Sequence, residues 1–206
     1  MLLVHGAGSD PRIFDEWLES FPSLRVATVD LQESLDVASA SMSDYAERVV
    51  AAARVLPQPV ALCGWSMGGL VTLLAAAAVR PHRVILIEAS PPGEAQGFYP
   101  DVAPAAGTFD PESVYGRFPE GVRARPESTL ARVERKRGIS VPRLPCHSLV
   151  IYGDEFRDER GPPIARLYGS AERDFPGLGH WDLVRDPRVR EAIADFLGVF
   201  RPVTTG

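Results

Sequence analysis

The sequence predicts an α/β fold, in which a parallel sheet of about six strands has helices on both of its faces. The first observation behind this is that short strand-like apolar runs alternate with helical patterns along most of the chain. The second is the stretch 67–79, which is apolar nearly all round, as is typical of a helix buried deep in a core. The third is the length, since 206 residues suit a single domain with a sizeable core. We therefore expect one domain over residues 1–206.

Six segments are predicted to be strands. They are residues 1–5, 25–31, 60–64, 84–88, 149–152 and 172–175. Helices are predicted over 11–20, from a cap at Ser43 to about 56, over 67–79, over 162–168, and from Asp186-Pro187 to a stop at Gly198. The alternation of the two kinds of segment is the pattern of a parallel sheet with crossover helices.

Residues 89–146 interrupt this alternation. They are rich in Pro, Gly and Arg, contain no clear strand, and have a helical pattern only near 126–137. A stretch of this length inside a compact domain is usually a lid, a binding loop or a small subdomain. We therefore expect a lid- or cap-like insertion over residues 89–146 within the single domain.

The second half of this insertion is basic. Within 111–143, eight cationic residues stand against four glutamates. The cationic residues are Arg117, Arg123, Arg125, Arg132, Arg135, Lys136, Arg137 and Arg143. A solvated helix face is the favoured interpretation of this charge. The alternative is that one or two of the arginines meet a carboxylate or phosphate on a substrate.

Composition excludes several classes of partner. The net charge of −5 argues against a nucleic-acid or anionic membrane partner. The sequence has neither a signal-peptide pattern nor an apolar run of the ~18 residues that a membrane helix needs. Two distant cysteines favour a reducing compartment, so a cytoplasmic location is expected. Metal-ligand spacing and phosphate-binding glycine loops are both missing, so neither a metal nor a cofactor is predicted.

The most informative motif is the run GWSMG at residues 64–68, which matches G-x-S-x-G. It lies between a predicted strand and a predicted helix, the context that a nucleophile elbow requires. Such a turn exposes the serine, here Ser66, in strained backbone geometry. Side chains in place of Gly64 and Gly68 would collide with neighbouring backbone. The helix that follows Ser66 presents its positive end to any negative charge formed there.

Over nearly the whole length, the sequence resembles the α/β-hydrolase superfamily. The run LLVHGAG at residues 2–8 resembles the family's strand and oxyanion loop. The run GLGH at 177–180 resembles its late histidine loop, and YGD at 152–154 resembles the loop that usually carries the acid. The family's first two strands have no counterpart, since the oxyanion loop begins at residue 5.

The resemblance implies a role for individual residues. Ser66 would be the nucleophile and His180 the general base, and the backbone N–H groups of Ala7 and Met67 would form an oxyanion hole. Trp65 and Trp181 flank the first two of these residues. These tryptophans either line an acyl pocket or simply pack, and the sequence does not separate the two interpretations.

The sequence does not decide which carboxylate would orient His180. In the family the acid loop usually reads Gly-x-x-Asp, but here the fourth position is Phe156. Asp154 comes earlier in that loop, and Glu88 follows the strand after the nucleophile helix, where some relatives carry the acid. Glu88 and Asp154 are equal candidates, and Asp158 stands behind them. All three keep the order Ser, acid, His.

These residues predict hydrolysis of a small carboxylic ester, a thioester or a lactone through an acyl-enzyme on Ser66. The same machinery would serve an acyltransferase, in which an alcohol or amine replaces water. A non-catalytic binding protein on the same fold, or a cofactor-free lyase that uses the same sheet edge, are the remaining alternatives. The expected partner is a small-molecule ester, and no oligomeric state is predicted.

Overall fold

A computed structural model of the protein describes residues 1–199. Its strands are β1 (Leu2–Val4), β2 (Ala27–Val29), β3 (Ala61–Trp65), β4 (Arg83–Ile87), β5 (Thr108–Phe109), β6 (Glu127–Ser128), β7 (His147–Tyr152) and β8 (Ala171–Asp174). Six of them form one sheet in the order β2-β1-β3-β4-β7-β8, and every neighbouring pair in it is parallel. This confirms the predicted fold class and the six-stranded parallel sheet.

Helices connect these strands. They are a 3₁₀ helix (Pro11–Trp17), α1 (Met42–Arg54), α2 (Met67–Val79), α3 (Gly93–Gln96), α4 (Pro111–Tyr115), α5 (Thr129–Arg137), α6 (Arg157–Arg160), α7 (Pro162–Tyr168), α8 (Asp182–Arg185) and α9 (Pro187–Leu197). The predicted bounds of α2, α7 and α9 agree with the structure, including the stop of α9 at Gly198.

The structure corrects the end of one predicted helix and the start of another. The first helix is a 3₁₀ helix that ends at Trp17 and does not continue to residue 20. The cap of α1 is Ser41 and not Ser43. Ser41 and Asp44 form a capping box, in which each side chain accepts a hydrogen bond from the other residue's backbone N–H. A side-chain oxygen at Ser41 satisfies an N–H that the first turn leaves open, which is why the helix begins there.

Both faces of the central strands of the sheet are buried. Leu62, Val84 and Val150 point to the layer that contains α1, α2 and α7. The residues that follow them, Cys63, Ile85 and Ile151, point to the opposite layer, which contains the 3₁₀ helix, α8 and α9. Successive side chains of a strand alternate between faces, so strands covered on both sides are continuous apolar runs. This explains why the central strands were readable from the sequence.

The insertion contains a short antiparallel pair that the sequence did not predict. Phe109 of β5 pairs with Glu127 of β6, and Thr108 pairs with Ser128. Each strand has only two residues, too few to produce an alternating apolar pattern. Because residues 127 and 128 belong to β6, the helix predicted from about residue 126 begins only at Thr129. The Ser128 side chain caps it.

Within residues 1–199, no helix has the length and apolar character needed to cross a membrane. The same part of the chain holds no group of three His, Cys, Asp or Glu side chains arranged around a common metal position.

Candidate active site

Ser66 occupies the sharp turn between β3 and α2. Its backbone has φ 57° and ψ −126°, a conformation that residues with a side chain rarely adopt. Two hydrogen bonds to the neighbouring strand hold the turn, from Ser66 N–H to the Ile87 carbonyl and from Ser90 N–H to the Ser66 carbonyl. The strained geometry that the GWSMG motif predicts is therefore present, and backbone contacts to the segment after β4 support it.

The glycines on either side of Ser66 are required by close packing. A Cβ at Gly64 would lie 2.4 Å from the Gly68 carbonyl oxygen. A Cβ at Gly68 would lie 2.3 Å from the carbonyl oxygens of Val4 and His5. These distances are far below van der Waals contact. The first turn of α2 thus packs directly against the end of β1, which the small flanking residues of the motif allow.

His180 is hydrogen-bonded to Glu88. The distance from His180 Nδ1 to Glu88 Oε2 is 2.6 Å, and the Glu88 side chain is fully buried. The other carboxylate oxygen of Glu88 accepts a hydrogen bond of 3.0 Å from the Gly153 backbone N–H. Glu88 follows β4 directly and has a positive φ of 39°. Both carboxylate oxygens are therefore fixed, and one of them faces the imidazole.

Asp154 makes different contacts. Its carboxylate accepts hydrogen bonds from the Arg157 guanidinium at 2.8 Å and from the Gly177 N–H at 2.7 Å. The hydrogen bond from Arg157, and then that from Gly177, lower the pKa of this exposed carboxyl. Asp158 is an exposed residue of α6. Of the three candidate acids, the structure brings Glu88 to His180, whereas Asp154 braces the loop that carries the histidine.

His180 is held in an apolar setting. Burial lowers the pKa of its imidazole, the hydrogen bond to Glu88 opposes that effect, and the positive charge of Arg160 lowers the pKa further. The imidazole is accordingly neutral at pH 7. With its Nδ1–H donated to Glu88, the remaining nitrogen Nε2 is left without a proton and can accept one.

A cavity of about 340 Å³ opens at this edge of the sheet. Five residues singled out in the sequence line it. They are Ala7, Trp65, Ser66, His180 and Trp181. In an α/β sheet, loops that leave the carboxyl ends of neighbouring parallel strands meet at one edge, which is why residues so distant in sequence share one cavity.

Trp65 and Trp181 both line the cavity and pack. Their ring centroids are 4.7 Å apart, and the Trp65 ring lies 4.8 Å from that of His180. The Trp65 indole N–H also donates a hydrogen bond of 3.2 Å to the His180 carbonyl. The same rings therefore form part of the cavity wall and support the histidine loop.

The two residues proposed for the oxyanion hole, Ala7 and Met67, come from different elements. Ala7 belongs to the loop after β1 and faces the cavity. Met67 is the first residue of α2, and the N–H groups of a first helical turn have no partner within the helix. His5, which is fully buried, supports the loop of Ala7. Its ring contacts the Gly6 carbonyl at 2.9 Å and accepts a hydrogen bond of 3.1 Å from the Leu31 N–H.

A buried carboxylate ties the insertion to the same loop. Glu127, in β6, accepts hydrogen bonds from the N–H of Gly8 at 2.9 Å and from the N–H of Ser128 at 2.8 Å. The Tyr45 hydroxyl donates to the same carboxylate. Nearby, Arg125 donates to the carbonyl of Ser9. Sequence reasoning missed these anchors, since only the tertiary fold brings Gly8, Ser9 and Tyr45 into contact with residues 82 to 119 positions away.

Several cavity residues were also missed. Tyr115 and Phe118 of the insertion face it together with Phe156, and the Phe118 ring lies 4.7 Å from that of Trp181. Arg160 at the end of α6 completes this group. Arg135 of α5 also lines the cavity, and it is one of the arginines for which the sequence left a contact to a substrate anion open. Aromatic residues inside a Pro- and Gly-rich insertion were the available signal, and Phe156 stands at the position of the family's usual acid.

A family model described as the alpha/beta hydrolase family matches residues 1–198. Among curated proteins, the chain is 36% identical over 76 residues to a pimeloyl-[acyl-carrier protein] methyl ester esterase of Neisseria meningitidis serogroup A. That match covers 36% of this chain and 24% of the relative. A serogroup C protein of the same description matches at 36% identity over 30% of its length. The matched stretch thus spans less than a third of either relative.

Solved structures share the fold over nearly the whole chain. One is described as a metagenome-derived lipolytic enzyme; it has 22% identity, a TM-score of 0.67, and coverage of 96% of this chain and 92% of that one. Another is a carboxylesterase of the Thaumarchaeon Nitrososphaera gargenis, with 15% identity, a TM-score of 0.68, and coverage of 96% and 89%. At these identities the likeness establishes the fold.

Proposed function

The chain belongs to the alpha/beta hydrolase family, and on that premise we propose that it is a serine hydrolase that cleaves a small carboxylic ester, thioester or lactone. The observation that carries the proposal is the Glu88–His180 hydrogen bond of 2.6 Å beside the cavity that both Ser66 and His180 line. A nucleophile, a base and an orienting acid on three separate loops are what acyl transfer to a serine requires.

In the first step, Ser66 Oγ attacks the acyl carbon and His180 Nε2 takes the hydroxyl proton. Glu88 accepts the Nδ1–H, which keeps the imidazole in the tautomer that leaves Nε2 free. The carboxylate also stabilises the imidazolium that forms. Because the folded protein lowers the pKa of His180, the base is neutral and ready at pH 7.

The tetrahedral intermediate places a negative charge on the former carbonyl oxygen. The N–H groups of Ala7 and Met67 would donate to this oxygen, and the positive end of the 13-residue helix α2 favours the same charge. His180 then protonates the leaving alcohol, and an acyl-enzyme remains on Ser66. Water activated by His180 attacks the acyl carbon, which releases the acid and restores the serine.

The insertion over residues 89–146 acts in this proposal as a cap. Its residues Tyr115, Phe118 and Arg135 line the cavity opposite the residues contributed by the sheet loops. A wall of this kind excludes water and shapes the acyl or alcohol pocket. The partner is accordingly a small molecule that fits a cavity of about 340 Å³.

The test compares wild type, Ser66→Ala and the matched control Ser43→Ala, whose serine is exposed on α1. Hydrolysis of p-nitrophenyl acetate and butyrate is measured beside labelling by a fluorophosphonate. We expect turnover and labelling to vanish together in Ser66→Ala and to persist in Ser43→Ala. Wild-type turnover in a folded Ser66→Ala variant would overturn the proposal. The absence of both signals in the folded wild-type protein would favour a binding protein instead.

A further inference from the structure

Two arginines that line the cavity have no carboxylate partner among the described residues 1–199. Arg135 comes from the insertion, and Arg160 comes from the end of α6. In each, Nε is buried and makes no hydrogen bond to any group of residues 1–199. Arg48 Nε and Thr72 Oγ1 are also buried without a partner, but neither residue lines this cavity. Two of the three arginines whose Nε is buried without a partner in residues 1–199 thus line the candidate active site.

The existing contacts of these guanidinium groups are weak or uncharged. An Nη of Arg135 donates a hydrogen bond of 3.1 Å to the Tyr115 hydroxyl. Arg160 lies 3.9 Å from the centroid of the Phe156 ring, and it reaches the Glu88 carbonyl at only 3.4 Å. By contrast, Arg157, one turn earlier, pairs with the carboxylates of both Asp154 and Asp174. Among residues 1–199, Arg157 therefore forms ion pairs with carboxylates, whereas Arg160 forms none.

The carboxylates near the cavity are already engaged. Glu88 holds His180 and the Gly153 N–H, and Glu155 accepts the His180 backbone N–H at 2.9 Å. Burial lowers the pKa of Arg160, the Glu88 carboxylate opposes this, and the positive charge of Arg135 lowers it again. The two arginines are thus close enough to repel each other. A buried guanidinium with an unmade hydrogen bond is costly unless an anion completes it.

We propose that Arg135 and Arg160 bind a carboxylate of the substrate, so that the enzyme prefers esters whose molecule carries a second, anionic end. This inference rests on the proposed function, because it assigns the substrate class of the same site. Guanidinium groups match a carboxylate through parallel N–H donors, and both arginines line the cavity without a carboxylate partner among residues 1–199. The aromatic walls of Trp65, Phe118 and Trp181 suit the uncharged spacer between the two ends.

The test uses monoethyl adipate, which has a free carboxylate, and ethyl hexanoate, which has the same chain length without it. The values of kcat/KM for the two esters give a preference ratio for wild type, Arg135→Gln, Arg160→Gln and the control Arg117→Gln, whose arginine is exposed on the insertion. We expect wild type and Arg117→Gln to prefer the anionic ester. In each cavity variant the ratio of kcat/KM for the anionic ester to that for the neutral ester should fall by about 10- to 100-fold, the scale of one charged hydrogen bond.

Three results separate the possibilities. A wild-type ratio near one, with ethyl hexanoate hydrolysed, would overturn the carboxylate site and leave the proposed function intact. Inhibition by inorganic phosphate as strong as inhibition by adipate, without a preference for the anionic ester, would also overturn it. If the wild type hydrolyses no ester, calorimetry of adipate binding to wild type and Arg160→Gln tests the site independently. Binding that is lost in the variant would support the site, and equal or absent binding would refute it.

Discussion

The Nδ1 atom of His180 lies 2.6 Å from Glu88 Oε2, although 92 positions separate the two residues in sequence. Glu88 follows β4, the strand next to β3, whereas Asp154 follows β7 one strand further along the sheet. The acid that contacts the histidine is thus on the strand beside the nucleophile strand. This single contact determines the first prediction.

Glu88→Gln should lower the kcat for p-nitrophenyl butyrate by about 10⁴-fold, since an amide cannot hold the imidazole in the required tautomer or stabilise the imidazolium. Asp154→Asn is the matched control, because its carboxylate contacts Arg157 and Gly177 instead. We expect a far smaller loss in that variant. A larger loss in Asp154→Asn than in Glu88→Gln would show that the acid is misassigned, provided that both variants retain the wild-type melting temperature.

The pH profile should have an acid limb with a midpoint below pH 6.5. The neutral imidazole is the active form, and burial lowers the pKa of His180 below its usual value of 6.5. As the pH falls through the pKa of the folded protein, His180 takes up a proton and kcat/KM decreases. The measurement is kcat/KM for p-nitrophenyl butyrate between pH 4 and 8. A midpoint clearly above 6.5 would contradict the assigned environment of the base.

Arg160→Gln should move this acid limb to higher pH. The positive charge of Arg160 disfavours protonation of His180, so its removal raises the pKa of the imidazole. Arg117→Gln is the control, since Arg117 is exposed on the insertion. The profiles are compared on the neutral p-nitrophenyl ester. A shift to lower pH in Arg160→Gln, or an equal shift in the control, would argue against electrostatic coupling between the two residues.

Glu127→Gln should destabilise the protein by about 1–3 kcal/mol, the cost of leaving buried polar groups unpaired. The carboxylate accepts hydrogen bonds from Gly8, Ser128 and Tyr45, and an amide would turn an NH₂ group toward one of these donors. Thermal melting of the variant should show the loss, while the exposed-residue control Glu120→Gln should melt like wild type. An unchanged melting temperature for Glu127→Gln would mean that this carboxylate does not anchor the insertion.

The sequence by itself determined the sheet and the elbow. Strands buried on both faces are continuous apolar runs, and α2 is apolar nearly all round, so these elements are readable without tertiary information. The turn at Ser66 was equally readable, because its motif lies within five consecutive residues. The structure adds the reason for the glycines: a Cβ at Gly64 would meet α2, and one at Gly68 would meet the end of β1. The β5–β6 pair was missed because two-residue strands carry no periodic signal.

Only the tertiary structure decided which carboxylate contacts His180 and which side chains line the cavity. Glu88 and Asp154 both follow parallel strands that end at the same edge of the sheet, so strand order and loop position left them equal. They differ because Arg157 and Gly177 occupy the carboxylate of Asp154, whereas the buried carboxylate of Glu88 faces His180. In the same way, Arg135 and Arg160 are ordinary arginines of a charged sequence. They become a candidate anion site only because packing buries both beside Ser66 and leaves their Nε–H groups unpaired within residues 1–199.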